Sequence, residues 1–150
     1  MASISGAISA IATFASNVNG IKISYDLGAV PDAVDRNLPC ALVYPEAGDV
    51  GFKTIAFMGN APVVDFSVTQ LVLYAPSQNQ PFRKSVPGLI TLFDTYLLAL
   101  KATPYFTALN PGVAAPIHRM VAAKPTIGIT EYAGVQYHSF SFKFDLEIYL

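Results

Sequence analysis

Asp145 and Glu147 stand two residues apart in Lys143-Phe144-Asp145-Leu146-Glu147. On a strand that spacing puts both carboxylates on one face, as in a glycosidase acid/base pair. Lys143 shares the face, so the three side chains read more simply as a solvated or intersubunit charge row. Two histidines, His118 and His138, and one cysteine, Cys40, are too scattered to match the ligand spacing of a metal site. His138 falls on the apolar face of its segment, which suits a hydrogen-bonded core or interface side chain, while His118-Arg119 suits the surface. Cys40 opens the apolar run to Tyr44 and fits a small buried residue better than a reactive thiol. Asp32, Asp35 and Arg36 form a turn and capping cluster. Arg83-Lys84 precedes a helix, where cations oppose the macrodipole; a carboxylate or phosphate partner would settle them, and plain solvent exposure explains them as well. GxGxxG, P-loop, GxSxG and HExxH patterns are absent from the sequence. The expectation is a protein with no catalytic, cofactor-binding or metal-binding set, and not an enzyme.

The elements around these residues carry more information than the residues themselves. From Val135 to Leu150, Phe140, Phe142, Phe144, Leu146, Ile148 and Leu150 alternate with Ser139, Ser141, Lys143, Asp145, Glu147 and Tyr149. That is one amphipathic strand, able to reach roughly 50 Å at ~3.3 Å per residue. A domain of this size covers such a strand poorly, so part of it is expected to project or to pair with another chain. Val63–Ala75 reads as a second long strand, apolar on both faces toward its end as in a covered sheet. Ile21–Asp26 and Cys40–Tyr44 are short strands separated by the loop Leu27–Asn37. Phe52–Met58, between turn signals at 46–49 and Gly59-Asn60, forms a hairpin with an apolar tip.

Helical spacing of Ile4, Ala7, Ile8, Ile11, Ala15 and Val18, with Asn19-Gly20 as a stop, predicts a first helix. Ser85-Val86-Pro87 opens a second, whose apolar face is Leu89, Leu92, Phe93, Tyr96, Leu97 and Leu100. Residues 102–116 are broken by prolines, and Ile117–Ala123 and Thr126–Glu131 are short extended pieces. Segregated strand runs with two helices indicate an α+β fold: a mixed, mainly antiparallel sheet with long strands, flanked by two helices, in a single domain over 1–150.

Of 150 residues, 53% are hydrophobic and only 13% charged, against about 25% charged in a typical soluble domain. So few charges favour a subunit that buries much of its surface in contacts. A net charge of −1 gives no general attraction to nucleic acid or anionic membrane. Residues 1–21 carry no charge, but Ser, Thr, Asn and Gly interrupt them, so they read as mature, soluble structure rather than a signal or anchor.

The amphipathic first helix, Gly20-Ile21-Lys22-Ile23, the loop containing Pro31, and Arg36-Asn37-Leu38-Pro39-Cys40-Ala41-Leu42-Val43 together resemble the opening of tailed-phage tail terminator (tail completion) proteins. Gly128-Ile129-Thr130-Glu131-Tyr132-Ala133-Gly134-Val135-Gln136-Tyr137, leading into a long terminal strand, is similar to their closing part. The resemblance implies an α+β subunit of a hexameric ring in the virion, on the head-proximal end of the tail tube and assembled in the host cytoplasm. Its implied partners are copies of itself, the tail tube protein and the head-tail connector or stopper; DNA passes only through the lumen, and no cofactor or membrane is involved. A tail tube or neck (head-tail joining) subunit shares these features. A small-ligand-binding or enzymatic α+β domain is the alternative from another class, expected to be a monomer with a pocket lined by His138, His118 or the acidic pairs.

Large apolar groups in connecting segments make Phe52, Phe57 and Met58 of the hairpin, and Tyr105 and Phe106, candidate interface residues. Folding back onto the chain's own core is the alternative for both segments. Arg83, Lys84, Lys143, Asp145 and Glu147 complete the candidate contact set.

Overall fold

The computed structural model describes residues 4–26, 37–44, 52–58, 61–78, 81–102 and 119–149. Helix α1 is Ile4–Ser16 and helix α2 is Phe82–Ala102. The strands are β1 Ile23–Tyr25, β2 Cys40–Tyr44, β3 Phe52–Met58, β4 Ala61–Pro76, β5 Arg119–Tyr132 and β6 Val135–Tyr149. They form one sheet in the order β1-β2-β4-β6-β5, with β3 pairing β4 beyond the end of β2. Every pairing is antiparallel except β1 with β2, so the fold is the α+β arrangement that the element order predicts.

β4 and β6 are the spine. They pair from Val63–Tyr149 to Pro76–Tyr137, with one irregularity between Leu73 and Ala75. Period-two side-chain placement then fixes which row goes where. Phe140, Phe142, Phe144, Leu146 and Ile148 join Val64, Phe66, Val68 and Val72 in a buried core beneath both helices. α1 contributes Ala7, Ile8, Ile11, Phe14 and Ala15, the turn after it contributes Val18, and α2 contributes Leu89, Leu92, Tyr96 and Leu100. The helices meet where Phe14 sets its edge against the Tyr96 ring, 5.3 Å between centroids. Phe142 stacks between neighbours, 4.8 Å from Tyr96 and 5.4 Å from Phe93. Offset and edge-on aromatic contacts of this kind add to the burial of their area.

The opposite face of the sheet has a smaller cluster of Cys40, Leu42, Leu71, Leu73 and Tyr137. β2 and the middle of β4 are therefore buried on both faces, which is why Leu71-Val72-Leu73 is continuously apolar. α1 ends at Ser16, short of the expected Asn19-Gly20 stop, as the amides of Asn17 and Val18 close three-residue turns onto Phe14 and Ala15. Gly20 takes a positive φ of 99° in the turn that follows, a conformation a side chain would resist. β5 and β6 are joined by a two-residue hairpin in which Ala133 and Gly134 both have positive φ, 52° and 78°. That backbone matches the right-handed twist of the flanking strands.

Further elements depart from expectation, β1 among them, which is Ile23–Tyr25 rather than Ile21–Asp26. β5 is one strand from Arg119 to Tyr132, where two short pieces are expected, because Pro125 sits on an edge strand and is tolerated there. α2 begins at Phe82 rather than Ser85, since the Pro81 carbonyl accepts hydrogen bonds from the amides of both Lys84 and Ser85. β4 starts at Ala61 rather than Val63, extended by its ladder with β3.

Candidate assembly surface

The charge row of β6 lies on the sheet face away from the helices. Asp145 is opposite Ser67 of β4 and Ala122 of β5, and Lys143 is opposite Thr69 and Lys124. Asp145 is buried, which corrects the solvated row expected for it. Its carboxylate accepts a 2.5 Å hydrogen bond from Ser67 Oγ and lies 3.9 Å from Lys124 Nζ. Two lysines directly across a ladder repel, and a carboxylate on the diagonal offsets that. Glu147 is opposite Asp65, and its register partner on β5 is Arg119. Lys143 and Glu147 are half-buried.

Histidine and carboxylates do not converge. His138 is buried on the helix side, its ring 5.3 Å from that of Phe82, while Asp145 and Glu147 project from the other face. Among the described residues no group of three His, Cys, Asp or Glu could hold a metal ion. Cys40 is fully buried and desolvation pushes its thiol up to about 11, so it stays protonated and unreactive at neutral pH. Among the described residues no helix is long and apolar enough to cross a membrane.

The candidate contact residues scatter. Arg83 and Lys84 lie within the first turn of α2, both exposed. Phe52, Phe57 and Met58 lie on β3, paired through Phe52–Phe66, Phe57–Pro62 and Met58–Ala61. β3 is a single strand paired antiparallel with β4, a partner the sequence reading of this segment does not name. Tyr105, Phe106 and His118 lie outside the described residues.

Sequence reasoning missed an open apolar surface. On β5, Ile127 is 38% and Ile129 55% exposed on the helix side, opposite Phe140 and His138. On α2, Phe82 and Ile90 are likewise exposed along one flank of the helix, and so is Leu97, which corrects its expected place on the buried face. The two rows adjoin, because Phe82 lies over His138 and Phe93 over Phe140 and Phe142, whose partners on β5 are Ile129, Ile127 and Pro125. The alternation Ile127-Gly128-Ile129-Thr130 carries the signal for half of this patch, but it cannot say that the helix-side row stays exposed.

Comparison with known proteins adds no relative: no protein-family model matches the chain, and no curated protein matches it.

Proposed function

We propose that this chain is a structural subunit of a tailed-phage virion, a tail terminator. Copies close a ring, six by the family's pattern, on the head-proximal end of the tail tube. The ring matches the last tube layer, cannot template another, and offers its far face to the head-tail connector. Mechanism is steric and associative, with no cofactor and no catalytic step; DNA crosses the lumen without being read.

One observation carries the reading. The sheet ends in a fourteen-residue edge strand, β5, whose helix-side row exposes Ile127 and Ile129 beside the exposed flank of α2. An apolar patch next to an open edge marks an association surface. A chain with 13% charged residues needs such contacts to limit its exposed apolar area. The step from an associating subunit to a terminator rests on the sequence resemblance.

Electron microscopy of the purified protein, alone and with tail tubes, is the test. Rings that sit on one tube end and arrest growth are expected. Long self-built tubes would assign the chain to the tube itself. A persistent monomer that leaves tube length unchanged would refute both.

A further inference from the structure

We propose that the occupant of the β5 edge is a second copy of this chain, presenting its β1 edge and α1; this rests on the ring reading above. β4 runs antiparallel to β2 and to β6, and β6 antiparallel to β5, so β5 points the same way as β4. β1, parallel to β2, points against β5. The two lateral edges of the sheet therefore run in opposite directions. A neighbour in the same orientation, helices on the same side, brings its β1 up to β5 antiparallel, so both edges are used in a single head-to-tail contact. Among the described residues no strand pairs with the outer side of β1 or of β5.

Faces select the register. Ser24 pairs Ala41 of the helix-side core, whereas Ile23 and Tyr25 belong with Cys40 and Leu42 on the other face. On β5, Ile127 and Ile129 face the helices and Gly128 and Thr130 face away. Within one subunit Ile23, Cys40, Leu73, Ser139 and Gly128 form a row across the sheet. A closing ring needs a stagger between edges, and slips of two residues preserve the faces. The slip that puts Ile23 opposite Thr130 also sets Tyr25 opposite Gly128, Ser24 opposite Ile129, and Lys22 opposite Glu131. Lys22 and Glu131 are both exposed and of opposite charge. Gly128 has open space where a side chain would be, with nothing within 4 Å of a Cβ placed there, so an aromatic ring from the facing strand can lie across it. The neighbour's α1, which roofs its own β1, then comes over Ile127 and Ile129.

Charge reversal and cross-linking test this. Lys22→Glu or Glu131→Lys alone should weaken self-association roughly tenfold, and the double variant should restore it to within about twofold. Both positions are exposed, so folding is unaffected, and circular dichroism checks that. Tyr25→Cys combined with Gly128→Cys should give, on oxidation, a ladder of disulfide-linked species up to the ring size, while neither single variant does. Dimers from Gly128→Cys alone would mean that β5 meets β5, and would overturn the proposal. Rings by native mass spectrometry without the ladder and without charge rescue would overturn the edge pairing and leave the ring reading standing. A monomer at every concentration would overturn both.

Discussion

Tyr96 and Gln70 test the core most sharply, because both are fully buried and each gives the other its hydrogen bond. The Tyr96 hydroxyl donates to Gln70 Oε1, while Gln70 Nε2 has no hydrogen-bond partner among the described residues. Tyr96→Phe keeps the ring stacked on Phe142 but strands a buried carbonyl, which costs about 1–3 kcal/mol. Gln70→Leu strands the hydroxyl instead, at a similar cost, partly offset because it also removes the unpaired amide. With both changes nothing polar remains at the contact, so the double variant should lie within about 1 kcal/mol of the parent. The coupling between the two sites is then about 2 kcal/mol, a sizeable share of the ~5–15 kcal/mol that holds a domain together. Urea unfolding of the four proteins at one fixed concentration measures it, provided the slope with denaturant is unchanged. Losses that simply add would show that the two side chains are not hydrogen-bonded in the folded protein.

Phe142→Ala should cost about 3–5 kcal/mol, since the ring is buried and stacks with Tyr96, Phe93 and Phe144; a loss below ~1 kcal/mol in the same urea assay would contradict that packing. Ala133→Gly should stabilise by about 0.5–1 kcal/mol by relieving a positive φ, and Gly134→Val should destabilise by more than that; thermal unfolding reads both. Burial raises the Cys40 thiol from 9.0 to about 11 and lifts the Tyr96 phenol well above its usual 10.0. Unfolded chains release these protons first, so both contributions are intact below pH 9 and stability falls as pH rises from about 9 toward 11 and beyond; Cys40→Ala should flatten the part of that fall between 9 and 11.

Legibility in the sequence followed the reach of each signal. β6 could be read almost residue by residue, because its alternation is long and one face is core, so any slip would bury Lys143 and Glu147 under the helices. α1 and the buried stripe of α2 followed from helical spacing for the same reason. Pairing partners are different: β2 skips β3 to join β4, and β4 joins β6 across α2 and β5. Nothing local in Cys40–Tyr44 or Val63–Ala75 encodes that choice. Pro125, lacking a donor, reads as a break between two short pieces, and only the sheet order reveals that β5 is an edge strand that tolerates it. Asp145 reads as solvated because the partners beside it, Ser67 and Lys124, lie on strands whose pairing with β6 no local pattern reports.

Burial changes across the sheet, and that gradient links fold to assembly. β2 and the middle of β4 are covered on both faces, and the β6 core row lies under α2. β5, one strand farther out, has Lys124, Pro125, Thr126, Ile127, Ile129 and Glu131 all exposed. A monomer optimised for isolation would blunt such an edge with several charges or shorten it. Here Lys124 and Pro125 guard only the middle of the strand, while Thr126–Tyr132 carries a single charge, Glu131, and two bare isoleucines. Replacing Ile127 and Ile129 together with lysine removes no core side chain, so folding should survive and association should not. Loss of rings with an unchanged urea midpoint is the expected result, and rings that persist through that double change would show that the β5 edge is not where copies meet.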